Sequence, residues 1–134
     1  MTKSDARFAS TTLVINDLEK SAAFYKSVCG LTEVARLSAQ VGGRDIVEIL
    51  FNFRGEGAAS FVLLKYVGEP APAVGETINV FATEDVDAFI ERAVQHGAVI
   101  IDAPTYNAEY GVKSAFIEDP EGHLIGAYQP PSSQ

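Results

Sequence analysis

Residues 11–31, TTLVINDLEKSAAFYKSVCGL, hold a short β-branched run, an Asn-Asp pair, an amphipathic stretch and a closing glycine. Thr11–Ile15 reads as a strand, because β-branched side chains fit a pleated surface. Asp17 is placed to accept backbone N–H bonds at the start of a helix. From Leu18 to about Val28, Leu18, Ala22, Tyr25 and Cys29 share one helical face, with Phe24 and Val28 beside them. Gly30 ends that helix. The same grammar returns at residues 78–98, INVFATEDVDAFIERAVQHGA: a strand over 78–83, Asp85 as N-cap, then Val86, Phe89, Ile90, Ala93 and Val94 at helical spacing, stopped by Gly97. Asp17 and Asp85 are 68 residues apart, and Gly30 and Gly97 are 67 apart, the mark of a duplicated unit.

Three strand-like runs follow each helix. In the first half they are 31–37, 45–53 and 58–66, separated by Gly42-Gly43 and Arg54-Gly55-Glu56-Gly57. In the second half they are 98–103, 112–118 and 123–129, with Asp119-Pro120-Glu121-Gly122 as a tight turn. The expectation is an α+β domain of two tandem βαβββ modules, 8–66 and 77–129, joined by a linker at 67–76. Each four-stranded sheet is expected to pack its own helix on one face. Its other face should curve around a small-molecule cleft. Pro130–Gln134 reads as a frayed tail.

Composition narrows the function classes. Of 134 residues 47% are hydrophobic, enough for a core, yet no apolar run approaches the length that spans a bilayer, so no membrane role is expected. The net charge of -8 is unevenly spread: residues 1–66 sum to +1 and residues 67–134 to -9. An acidic second half repels phosphate backbones and argues against nucleic acid. It reads first as a solubilising surface and only second as an attraction for a cationic small molecule. Cys29 is the only cysteine, which rules out an intrachain disulfide and fits a cytoplasmic setting.

VINDLEKSAAFYKSVCGL at 14–31, its echo FATEDVDAFIERAVQHGA at 81–98, and EDPEGHLIGAY at 118–128 together resemble the vicinal oxygen chelate superfamily, the glyoxalase and bleomycin-resistance group. The resemblance covers residues 8–129. It implies a homodimer and a cleft shaped for a small molecule; for activity it is broad, because isomerases, dioxygenases, epimerases, thiol transferases and drug-sequestering proteins share the fold. Metal-dependent members carry one ligand on the first and one on the last strand of each module, His and Glu in the main, leaving open positions for two substrate oxygens. Counted from the motifs, those positions are Ser10, Leu63, Ile78 and Gly126. None suits a metal, and a one-residue shift from Leu63 to Val62 or Leu64 brings no donor. No metal and no cofactor are therefore expected.

Alternation along strands then nominates the cleft wall: Ser10, Thr12 and Val14; Phe61, Leu63 and Lys65; Ile78 and Val80; Leu124, Gly126 and Tyr128. Gly126 is expected to leave volume where a Glu would stand. The aromatics Phe51, Phe53, Tyr106, Tyr110 and Phe116 are expected beside this wall, with TYNAEYGVK at 105–113 as a loop over the cleft mouth. His96 reads as a helix cap, and His123 is expected on the opposite sheet face. Arg36 and Arg44 stand where they could meet a carboxylate. The leading reading is a metal-independent protein that binds an apolar or aromatic organic ligand in the cleft. The alternatives are a metal-free isomerase or lyase using Tyr128, Glu48 or Glu109, and a metal-dependent lyase or dioxygenase; whether the chain is an enzyme stays open.

Overall fold

The computed structural model describes residues 4–5, 8–75 and 77–131. Glu76 of the linker and the last three residues of the tail lie outside them. The element order is β1 (Thr11–Val14), α1 (Leu18–Cys29), β2 (Thr32–Val41), β3 (Arg44–Asn52), β4 (Phe61–Tyr66), β5 (Ile78–Ala82), α2 (Val86–Gln95), β6 (Val99–Asn107), β7 (Val112–Glu118) and β8 (Leu124–Gln129). The two sheets have the same design, β1-β4-β3-β2 and β5-β8-β7-β6. In each, the first strand runs parallel to the fourth and the other neighbours are antiparallel. The chain is thus the α+β duplication expected from the repeat.

Packing groups the chain into two compact units. One holds the described residues up to Leu18 together with Leu31–Ala71; the other holds Glu19–Gly30 and the described residues from Pro72 onward. Helix α1, expected on the first sheet, is thereby grouped with the second. The bonds explain this. Tyr25 Oη donates to Asp119 Oδ2 at 2.6 Å, Ser21 Oγ to Glu121 Oε2 at 3.4 Å, and Arg92 Nη2 to the Val28 carbonyl at 3.2 Å.

The first unit is a sheet with local fastenings. Gly42 and Gly43 both take positive φ (58° and 77°), the type I′ geometry that suits the twist of a two-residue hairpin, and Val41 pairs with Arg44 across it. The buried Asn52 organises the next loop. Its Oδ1 accepts from Arg54 N and Gly55 N, and its Nδ2 donates to the Glu56 and Ala58 carbonyls. That loop delays β4 to Phe61, three residues later than the sequence pattern implies. Phe51 and Phe61 meet edge to face at 6.2 Å. The start of the linker is bound here too: Ala71 N donates to Asn16 Oδ1, Arg44 pairs with Glu69, and the Arg44 guanidinium lies 3.6 Å over the Tyr66 ring.

In the second unit α2 packs on β6, β7 and β8. Asp85 caps it by accepting from Ala88 N at 3.0 Å, and Gln129 Oε1 accepts from Val86 N. His96 closes the other end, its Nδ1 2.9 Å from the Arg92 carbonyl. Phe89 and Ile90 are buried, as are Ala115, Ile117, Ile125 and Ala127 of the sheet. The Asp119–Gly122 turn is held from inside, with Asp119 Oδ1 accepting from both Glu121 N and His123 N at 2.9 Å.

Candidate functional site

Strand register decides which predicted wall residues share a face. Register partners in adjacent strands point to the same side of a sheet, and neighbours along a strand alternate. In the first sheet Thr12 pairs with Val62 and Leu13 with Leu63. Leu63 also pairs with Ile49, and Phe61 with Phe51. Leu13, Ile49, Phe51, Phe61 and Leu63 therefore form one face, and all five are buried. Thr12, Val14, Glu48, Leu50, Val62 and Leu64 form the other face, where Thr12 is exposed and Val14, Glu48 and Leu50 are half-buried.

The expectation that Phe61, Leu63 and Lys65 share a wall with Ser10 and Thr12 is corrected by this pairing. The first and fourth strands are aligned by contacts distant in sequence, and their register shifts β4 by one residue from the motif spacing. The residues that do share Thr12's face are Val62 and Leu64, whose side chains carry no donor atom for an ion. Ser10 itself is half-buried just before β1. Phe51 belongs to the buried face with Phe61 and Leu63. Lys65, half-buried, stands opposite Val47 on the Leu63 face. A shallow depression of about 350 Å³ lies near the outer strand of this sheet, lined by Leu18, Arg36, Leu37, Ser38, Val47 and Glu48.

The second sheet keeps the predicted grouping together. Ile78 pairs with Leu124, Val80 with Gly126 and Ala82 with Tyr128, so Ile78, Val80, Leu124, Gly126 and Tyr128 occupy one face. Across β8, Phe116 stands opposite Gly126 and Ser114 opposite Tyr128. The face is mostly apolar and exposed along β5, where Ile78 is 46% exposed and Val80 58%, while Leu124, Tyr128 and Phe116 are half-buried. The expected free volume at Gly126 is absent. A Cβ built there would stand 3.0 Å from Phe116 Cε1 and 3.2 Å from Val80 Cγ2. Gly126 thus serves as the floor under the Phe116 ring. A carboxylate arm from this position would have to displace that ring.

The remaining candidates fall in scattered places. Glu109 is exposed in the β6–β7 hairpin. The expected loop at 105–113 is mostly strand and hairpin: Tyr106 pairs with Lys113, Gly111 N donates to the Asn107 carbonyl, and Asn107 Oδ1 accepts from Glu109 N and Tyr110 N. Tyr106 and Tyr110 are exposed, as is Phe53. Arg36 is engaged by Glu33 at 2.7 Å and Arg44 by Glu69 at 3.0 Å, so both already meet a carboxylate of their own chain. His123 precedes β8 in the alternation opposite Gly126, and its Nε2 is buried with no hydrogen-bond partner among the described residues. Burial pushes the Cys29 thiol above its ordinary range, which suppresses the thiolate a nucleophile needs. Tyr25 is shifted up likewise, by burial first and then by the charge and hydrogen bond of Asp119.

Metal binding asks for converging donors, and the residues present do not fit it. Among the described residues no three His, Cys, Asp or Glu side chains come together in a group able to hold an ion. The side chains at the positions counted for metal-binding relatives are a hydroxyl, aliphatic groups and a hydrogen. What the two sheet faces offer is apolar and aromatic surface with polar points: Thr12 and Glu48 on one, and Ser114, Tyr128, Glu118 and Asp102 on the other.

A duplicated βαβββ chain with these sheet orders defines a class, and the sequence agrees with it. The profile of the Glyoxalase/Bleomycin resistance protein/Dioxygenase superfamily matches residues 7–126, and the chain belongs to that superfamily. A glyoxalase family protein from Bacillus cereus superposes with a TM-score of 0.82 at 20% identity, covering 98% of this chain and 99% of the other. Glyoxalase I from Zea mays gives 0.75 at 19% identity, over 90% of this chain and 45% of the maize chain. A glyoxalase-related enzyme from Fulvimarina pelagi gives 0.66 at 24% identity, over 92% and 87%. At such identities the likeness is one of fold. No protein of curated function matches the sequence. No helix among the described residues is long and apolar enough to cross a membrane.

Proposed function

We propose that this chain is a metal-independent binding member of its superfamily, taking up a small, largely apolar or aromatic organic molecule. The observation that carries the proposal is the packing of Phe116 and Val80 against Gly126, which puts an aromatic ring where metal-dependent relatives are expected to place a carboxylate. The exposed Ile78 and Val80 beside that ring supply apolar area, and Tyr128 and Ser114 supply hydroxyls to orient a ligand. Homodimeric assembly and residence in the cytoplasm belong to the same proposal. The uncovered apolar strands and the single cysteine support them.

Metal analysis after incubation with nickel, zinc or iron(II), run beside a thermal-shift screen of aromatic and cationic antibiotics, tests this. The expected result is metal far below one ion per chain and a raised melting temperature with at least one compound, since a ligand of the native state stabilises it. Near-stoichiometric metal would overturn the proposal. Half-buried Glu48, on the Thr12 face, is the observation that favours a second reading, a metal-free enzyme. Turnover of a bound compound that disappears in Glu48→Gln would establish it.

A further inference from the structure

The uncovered face of the second sheet carries a chemical bias. Phe116 is half-buried, and its Cε1–Cδ1 edge stands close to Gly126, where no Cβ intervenes. A ring set against a glycine backbone, with Val80 Cγ2 close to the same glycine, is a preformed flat platform with little freedom left to lose on binding. Two carboxylates flank it. Glu118 lies two residues along β7, on the same side by strand alternation, and Asp102 is the cross-strand partner of Phe116 on β6. Among the described residues neither has an ion pair or a hydrogen bond through its side chain. The residues in register on this face, from Ile78 and Val80 through Leu124 and Tyr128 to Ser114 and Val99, include no lysine, arginine or histidine.

We infer that the ligand is a planar aromatic cation, stacked on the Phe116 ring with its charge toward Glu118 and Asp102. The aromatic face attracts positive charge through its quadrupole, and the carboxylates add to that attraction without a competing cation. This makes Phe116 a specificity-determining residue. It explains why the acidic excess of the second half matters at this surface, and it rests on the binding role proposed above.

Titration calorimetry on the full chain with three probes of similar ring size tests it: proflavine as the cation, acridone as the neutral ring, and anthracene-9-carboxylate as the anion. Proflavine is expected to bind at least about tenfold more tightly than the other two. Phe116→Leu should weaken it roughly tenfold, and Glu118→Gln or Asp102→Asn about threefold each, in line with cation–π and exposed ion-pair strengths. Equal affinity for all three rings, or proflavine affinity unchanged in both Phe116→Leu and Glu118→Gln, overturns the inference while leaving the binding role standing. If no ring binds at this face and a metal does, both fall.

Discussion

Tyr25→Phe removes one oxygen and keeps the ring, so it isolates the bond to Asp119. The bond is 2.6 Å long, and its partners are 0% and 3% exposed. Asp119 Oδ1 remains occupied by two backbone amides, but Oδ2 loses its phenolic donor inside the protein. Hydrogen bonds to charged groups contribute about 1.5–3 kcal/mol, and a buried acceptor stripped of its donor costs toward the upper end of that span. A loss of about 2–3 kcal/mol is therefore expected. For a chain of this size that corresponds to a melting temperature lower by roughly 6–12 °C. Urea unfolding of wild type and variant, followed by circular dichroism with the slope held common, measures it. A cycle with Asp119→Asn separates this bond from the rest of the packing and should give a coupling of at least about 1 kcal/mol. A change under about 0.5 kcal/mol would refute the view that this bond fastens α1 to the β7–β8 turn.

Other expectations follow from the same geometry. At alkaline pH, stability should fall from about pH 9 upward, first through Cys29, whose thiol burial holds protonated in the folded chain, and then through Tyr25. The unfolded chain releases the Tyr25 proton near its ordinary pKa, while the folded protein, with that pKa raised, retains it and so binds more protons than the unfolded state; urea midpoints between about pH 8 and 11 should show the decline, shallower in Tyr25→Phe. Gly126→Ala should destabilise by about 1–3 kcal/mol, because its Cβ meets Phe116 and Val80 at 3.0 and 3.2 Å, and Phe116→Ala in the same chain should recover part of that loss; chemical unfolding of both variants checks it. Asp85→Ala should cost about 1 kcal/mol through the lost cap on Ala88 N, seen as a lower urea midpoint.

Local signals carry most of the fold into the sequence. Asp85, Gly30, Gly97 and the Gly42-Gly43 pair act within a few residues, so their effects are legible without any tertiary structure. What escapes is set at long range. The one-residue offset that puts Val62 rather than Leu63 beside Thr12 depends on strands about fifty residues apart. Strand β6 extends through Pro104 to Asn107 although proline interrupts the pattern; it is an outer strand with register shifts, where a missing N–H is tolerated. Gly126 reads as an empty space in sequence, because nothing local reveals that Phe116 on the neighbouring strand leans over it. Both residues are visible in the sequence, and only the pairing of β7 with β8 connects them.

The tyrosine of α1 waits 94 residues for its aspartate. During synthesis this helix precedes its anchoring turn by that whole interval. A truncated chain ending after the first four strands would thus present Tyr25 and its neighbours without the surface that shelters them. Duplication of the module therefore need not mean that either copy can fold by itself, and the helix is secured only once the β7–β8 turn of the second copy has been made, not when the first half is complete.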